Sequence, residues 1–157
     1  MKGSGEANMN IAVGSDHGGF ELKEEIVNYL KEKGVNVTDF GTHSTESVDY
    51  PFYGEKVAEA VVSGAADLGI VVCGTGQGIA MAANKVKGIR AAVVADTYSA
   101  EMTRRHNNAN ILSLGGRVVG AGLALKIVET FISTPFEGGR HERRVDLLTS
   151  IEAKYSK

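Results

Sequence analysis

The stretch "LGIVVCGTGQGIA", residues 68 to 80, joins an apolar β-branched run to a small-residue segment through three glycines on alternate positions, Gly74, Gly76 and Gly78. A short continuous apolar run that ends at glycine and passes into a helix-compatible segment reads as a buried strand, a tight turn and a helix. Four further β-branched runs repeat the pattern: "NIAVG" (10–14), "NVTDF" (36–40), "RAAVVA" (90–95) and "NILSLG" (110–115). Segments with apolar residues at helical spacing lie between and after them, at 20–33, 53–63, about 77–86, 98–107 and 121–133. In the first, Phe20, Ile26, Val27 and Leu30 share a face, acids lead, lysines trail and Gly34 ends the run, which are the usual start and stop signals of a helix. The last segment, "RHERRVDLLTSIEAKYSK", predicts a C-terminal helix whose apolar stripe is only Val145, Leu148 and Ile151. So thin a stripe needs another surface to lie on.

Strands alternating with crossover helices predict an α/β chain with three layers, a five-stranded parallel sheet covered by helices on both faces. The expected topology is Rossmann-like, in the flavodoxin-like strand order 2-1-3-4-5. Ligands of such sheets bind beyond the C-terminal ends of the strands, at the switch point. Those ends read "GSDHGG", "CGTGQG", "ADTYS" and "GGRVVG", so function is expected there.

At 157 residues the chain holds one sizeable core. The 17 Lys and Arg nearly balance the 19 Asp and Glu, so no global field recruits nucleic acid or an acidic membrane, and any anion site must be local. No apolar run approaches the roughly 20 residues of a membrane span, and no signal-peptide pattern opens the chain, which predicts a cytoplasmic protein. Residues 1–8, polar and glycine-rich ahead of Met9, are expected to be an N-terminal extension or expression remnant without a functional role, with 9–157 as the single domain. One cysteine, Cys73, excludes an internal disulfide.

The glycine loop does not fit the nucleotide motifs. A P-loop requires a lysine that is missing here, and a dinucleotide fingerprint requires glycine where Ile79 stands, Gly78 coming one residue early. Asp96, near the spacing of a ribose-binding acid, keeps a dinucleotide reading open. The physics of the turn remains: backbone N–H groups that can approach a ligand closely, at a helix N-terminus that favours negative charge. The same terminus would stabilise a thiolate at Cys73. A thiolate beside an oxyanion hole serves either as a nucleophile in acyl transfer or as a base that removes a proton alpha to a carbonyl. Redox exchange lacks a partner cysteine. The alternative is a buried thiol that only fills the core. Polar candidates at the strand ends and loops are Asp16, His17, Asp49, Tyr50, His106, Asn107 and Arg117, each of which could instead be a cap or a surface residue. Arg140, His141, Arg143 and Arg144 offer either a solvated helix start or a phosphate site, for which the arginine fork is suited.

The blocks "GSDHGG", "DYP", "CGTGQGI", "AANK", "GIRAAV", "RRHNNAN", "GGRVVG" and "EGGRH" stand in this order from Met9 to the last helix, and together they resemble ribose-5-phosphate isomerase type B, the family that also contains galactose-6-phosphate isomerase subunits. The resemblance implies a cytoplasmic aldose-ketose isomerase of the pentose phosphate pathway, with no metal and no cofactor, acting on a sugar phosphate as a homodimer or tetramer with sites at the subunit interface. It implies Cys73 as the base between C1 and C2, assisted by Thr75, and the amides of Gly74, Gly76 and Gly78 as the enediolate hole. It further implies His106 as the ring-opening acid/base, Asn107, Asp16 and Tyr50 as contacts to hydroxyls, and His17, Arg117, Arg140 and Arg144 as the phosphate clamp, part of it from the partner subunit. The same chemistry on allose 6-phosphate or galactose 6-phosphate is the runner-up, and a non-catalytic sugar-phosphate or nucleotide-binding module is the reading outside the enzymes.

Overall fold

The computed structural model of the chain describes residues 8–156. Apart from Asn8, the N-terminal extension expected at 1–8 therefore lies outside the described residues. In chain order the elements are β1 (Asn10–Ser15), α1 (Phe20–Glu32), β2 (Asn36–Asp39), α2 (Tyr50–Val62), β3 (Leu68–Cys73), α3 (Gln77–Ala83), β4 (Ala91–Val93), α4 (Thr97–Arg105), β5 (Ile111–Gly115), α5 (Ala121–Ser133) and α6 (Arg140–Tyr155). All four strand pairings are parallel. Alternate strand residues feed two cores. Ile11, Val13, Ile70, Val72, Leu112 and Leu114 pack with α1, α4 and α5, whereas Ala12, Val71, Cys73 and Ile111 pack with α2 and α3. Helices thus cover both faces, as the pattern predicts.

The strand order is β2-β1-β3-β5-β4, not the expected 2-1-3-4-5. The two candidates for the place beside β3 differ in how much they bury. Every residue of β5 is buried, as a strand covered on both sides requires, whereas the three residues of β4 are all partly or well exposed. β4 is therefore the edge, where a short strand of small residues loses least. The chain crosses β5 to reach it and returns through α4.

Helix α2 begins three residues ahead of the expected start, at Tyr50, because Pro51 sits in its first turn, where a missing N–H costs nothing. Helix α6 is poorly covered: His141 and Val145 are buried, but Leu147, Leu148, Ile151 and Tyr155 are all at least half exposed. Two of the three stripe residues, Leu148 and Ile151, are therefore only about half covered within the chain. Among the described residues no helix is long and apolar enough to cross a membrane.

Among the described residues one charged group is fully inside. Lys23 of α1 has no exposed surface, and its Nζ donates to both carboxylate oxygens of Asp39 (3.0 and 2.8 Å) and to Glu24 (2.9 Å). Asp39 Oδ1 also accepts the Gly41 N–H (2.9 Å). Gly41 O in turn accepts from Ser15 N (2.6 Å), and Thr42 N donates to Ser15 O (2.7 Å). The ion pair is thus the far end of a chain of bonds that sets the C-terminal end of β1. Replacing Asp39 with Ala leaves the ammonium buried with only the half-exposed Glu24 as partner and should cost about 3 kcal/mol, because breaking one side of a buried pair strands the other charge. Urea denaturation of wild type and Asp39→Ala measures it, and a cost under about 1 kcal/mol, the scale of a surface pair, would mean the lysine finds water instead.

Candidate active site

The strand order decides what surrounds the glycine loop. Cys73 ends β3 opposite Gly115 of β5. The segment after β5 is stitched to the loop: Gly116 N donates to Cys73 O (2.8 Å) and Arg117 N to Gly74 O (3.0 Å). The Arg117 guanidinium comes to rest over Gly74. In the expected order Asp96, at the end of β4, would have taken this place. Instead Asp96 lies at the sheet edge as the N-cap of α4, its oxygens accepting Ser99 N (2.7 Å) and Ser99 Oγ (2.9 Å). Those two donors hold its carboxyl below the usual carboxylate range. Committed to a cap, it is not poised for a ribose, and the dinucleotide reading loses its acid.

Within the loop, Cys73 is buried and its Sγ accepts the Gly76 N–H at 3.2 Å. Gly76 reaches that position with a left-handed backbone (φ 82°), which glycine adopts without steric cost. Ser113 of β5 fixes the turn from below, its Oγ donating to Gly76 O (2.6 Å). Thr75 Oγ1 accepts from Gln77 N (3.2 Å), so its own proton remains free to be donated. Gly78, which breaks the dinucleotide spacing, has another purpose. A Cβ there would lie 2.6 Å from the Tyr50 ring, so the missing side chain is what lets Tyr50 lie over the first turn of α3.

Across the loop, Asp16 is buried and its Oδ1 accepts Gly19 N (3.1 Å). His17 Nδ1 accepts Val48 N (3.2 Å). In the neutral ring that leaves the proton on Nε2, a donor facing away from the backbone. Val48 directly precedes the Asp49–Tyr50 turn, so this bond ties His17 to the start of α2. Asp16, His17, Tyr50, Cys73, Thr75 and Arg117 therefore share the rim formed by the C-terminal ends of the strands.

His106, Asn107, Arg140 and Arg144 do not belong to that rim. Helix α4 starts at the C-terminal end of β4 and carries the chain back, so that Asn110 N bonds Arg90 O and Asn110 O accepts Gly69 N at the strand starts. His106, the C-cap of α4, therefore lies at the opposite edge of the sheet, roughly a strand length (~3.3 Å per residue over five residues) from Cys73. Arg140 and Arg144 open α6 on this second rim, and the His106 and His141 rings stack with centroids 4.2 Å apart. His106, Asn107, His141, Arg144, Val145 and Leu148 line a cavity of about 340 Å³.

The block "RRHNNAN" divides by duty. Arg104 holds the turn, donating to Thr134 O, Asn108 Oδ1 and Ala109 O. Asn108 takes the left-handed conformation (φ 48°), and Asn110 accepts Arg90 N and donates to Gly88 O. Burial of Arg104 and Arg90 pulls both guanidinium pKa values below the usual range. His106 and Asn107 carry no such framework bond among the described residues and are left to face the cavity. The anchors Ser113 and Arg104 were not among the candidates. A serine inside an otherwise apolar central strand was the available signal for the first.

A family model described as Ribose/Galactose Isomerase matches residues 11–148. The chain belongs to that family. It is 53% identical over 144 residues to ribose-5-phosphate isomerase B of Escherichia coli, covering 92% of this chain and 97% of that one. Among solved structures it is similar to ribose-5-phosphate isomerase B of Clostridium thermocellum (61% identity, TM-score 0.93, 94% of this chain and 100% of the other). It is also similar to the Mycoplasma genitalium ribose-5-phosphate isomerase B with bound ribulose-5-phosphate (45% identity, TM-score 0.88, 94% and 97%). Against this family pattern, the residues that the sequence resemblance groups into one site are divided by the fold between two rims of the chain.

The glycine loop depends on Ser113. Ser113→Ala leaves the Gly76 carbonyl without that donor in a buried place, at a cost of about 1–3 kcal/mol. It should also speed alkylation of Cys73 by iodoacetamide, measured under native conditions. Unchanged stability together with unchanged alkylation would show that the loop holds itself.

Proposed function

We propose that this chain is an aldose-ketose isomerase interconverting ribose 5-phosphate and ribulose 5-phosphate through an enediolate, with Cys73 as the base and with each active site built from two copies of the chain. The observation that carries the chemistry is the thiol at the end of β3, hydrogen-bonded to Gly76 N in a loop flanked by His17 and Arg117. In the forward direction the Cys73 thiolate takes the C2 proton. The electron pair moves through the C1 carbonyl to O1, and the loop amides stabilise the oxygen that becomes anionic. Because the Gly76 N–H is bonded to sulfur and Gln77 N to Thr75 Oγ1, the amides left for that oxygen are those of Gly74, Thr75 and Gly78. The Thr75 hydroxyl donates beside them while a proton passes from O2 to O1, and return of the Cys73 proton to C1 completes the ketose.

Ring opening needs an acid/base, and distal binding energy needs a cationic anchor for the phosphate. His106 suits the first. Arg117, Arg140 and Arg144 suit the second, with His17 Nε2 as a further donor, and none of the three arginines makes an ion pair among the described residues. Since one chain holds half of this set on each of two opposite rims, a two-fold dimer that brings the first rim of one copy against the second rim of the other assembles two complete sites. The uncovered face of α6 (Leu147, Leu148, Ile151, Tyr155), with Met81 of α3 also exposed, supplies apolar area for that association. Asn107, Asp16 and Tyr50 then bond the sugar hydroxyls. The reading describes a cytoplasmic enzyme of pentose phosphate metabolism. A hexose phosphate remains the runner-up substrate, since one extra carbon in a pocket changes preference by only ~1–3 kcal/mol.

Cys73→Ser should reduce kcat on ribose 5-phosphate by about 10²–10⁴-fold with substrate binding near wild type. Retained turnover would place the base elsewhere, and faster turnover of allose 6-phosphate by wild type would move the chain to hexoses. His106→Asn should harm ribose 5-phosphate more than an aldose phosphate that cannot close a ring. The two variants together test the shared site. Unfolded together and refolded, Cys73→Ser and His106→Asn chains should recover about a quarter of wild-type activity, because half of random dimers are mixed and each mixed dimer has one intact site. Recovery no greater than the sum of the separate variants would mean that each chain works alone.

A further inference from the structure

Beside His106, the second rim holds two further donor side chains, Glu137 and His141, to which the isomerisation mechanism gives no role. His106 from the end of α4, Glu137 from the loop before α6 and His141 from the first turn of α6 present ligand atoms that all lie within 4.8 Å of one another. His141 is only 5% exposed, and its Nε2 has no hydrogen-bond partner among the described residues. Glu137 Oε1 lies 3.2 Å from that nitrogen, within range but out of line for a hydrogen bond. A buried ring nitrogen without a partner is costly and calls for an explanation.

We propose that His106, Glu137 and His141 form a binding site for a divalent transition-metal ion of the zinc class, and that metal binding there withdraws His106 from the sugar. Two imidazoles and one carboxylate are the donor set of a three-ligand zinc site, with the fourth position open. Two of the three ligands, His106 and His141, line the cavity shared with Asn107 and Arg144. Magnesium and calcium, which prefer all-oxygen shells, are poorly served by two ring nitrogens. Zinc–ligand bonds of about 2.0–2.1 Å place tetrahedral donors roughly 3.3 Å apart, so the three side chains must draw in and the two rings turn out of their stack. Glu137, which is exposed, and His106, which is partly so, have room to do this by rotation. The Arg105 guanidinium, 3.9 Å from Glu137 Oε2, is the cation that a metal would displace from this carboxylate. Because only His141 and Val145 of α6 are buried, with Glu152 further along accepting the Gly88 N–H, a metal would add a tie from this helix to α4.

The inhibitory half of the proposal rests on the ring-opening role of His106; metal binding itself does not. Full-length Cys73→Ser protein, which lacks the only thiol, is titrated with zinc chloride against a chromogenic chelator. The expected result is one zinc per chain. Glu137→Gln and His141→Gln, each in the same background, should weaken it at least as much as the ~10–100-fold that loss of an outer-sphere partner costs. Cobalt(II) bound to the unsubstituted protein should show the visible bands of a tetrahedral nitrogen/oxygen site, a readout that survives if either variant fails to fold. No zinc bound, or equal affinity in all three proteins, or cobalt that stays octahedral, overturns the site. In wild-type kinetics zinc should inhibit turnover of ribose 5-phosphate more strongly than that of a 4-phosphorylated tetrose, which cannot form a furanose, and chelation should reverse it. Zinc bound at the site with equal inhibition of both substrates, or with none, overturns the withdrawal of His106. A metal-free protein with no turnover of ribose 5-phosphate would count against the isomerase reading and leave the metal site standing.

Discussion

The parallel pairing of β3 with β5, with Cys73 opposite Gly115, is the contact on which the rest of the site depends. It places the "GGR" segment against the cysteine loop, so that Gly116 and Arg117 are bonded to the carbonyls of Cys73 and Gly74, and it sets Ser113 beneath Gly76. Had β4 taken that position, an acid would have faced the thiol. The two strands differ in burial, far from any ligand: every residue of β5 is buried in the central place, whereas all three residues of β4 keep some exposure at the edge.

A parallel sheet sends all strand ends of one kind to one edge, and its crossover helices must return the chain to the other. Residues just after strands and residues just after helices are therefore kept apart within one chain by about the length of a strand. Cys73, Asp16 and Arg117 belong to the first kind, and His106 belongs to the second. A reaction that needs both kinds can be served by a second copy turned about a two-fold axis, and the bare apolar stripe of α6 offers area for it. Catalytic need and the thin C-terminal stripe then have one explanation.

The supporting residues show how the sheet is made rigid where chemistry is proposed. The buried Lys23 and its partly buried partner Asp39, away from the thiol, control the end of β1 through Gly41 and Ser15, while Arg104 and Asn108 build the turn that presents His106 and Asn107. On both rims the residues with framework bonds and those without are adjacent in sequence. On the second rim the unbonded His106 and Asn107 are the candidates for contact with substrate, whereas on the first rim Asp16, His17, Cys73 and Thr75 each also accept a backbone N–H.

The sequence by itself determined the five strands, the helices between them and the edge of the sheet to search. These follow from local periodicity, from glycine and proline punctuation, and from the handedness of crossovers. Its ordered blocks also pointed to the family, which the family model matches over residues 11–148, and through it to the candidate residues of the site. Periodicity does not carry strand order, because β4 and β5 are both short apolar runs whose difference emerges only when burial on two faces is compared. Nor does it carry the purpose of Gly78, which depends on a ring arriving from α2, or the anchoring serine, whose partner is 37 residues away. Only the tertiary structure decided that Arg117 rather than Asp96 lies beside Cys73 and that His106 lies on the opposite rim, because both depend on which strands are neighbours in space.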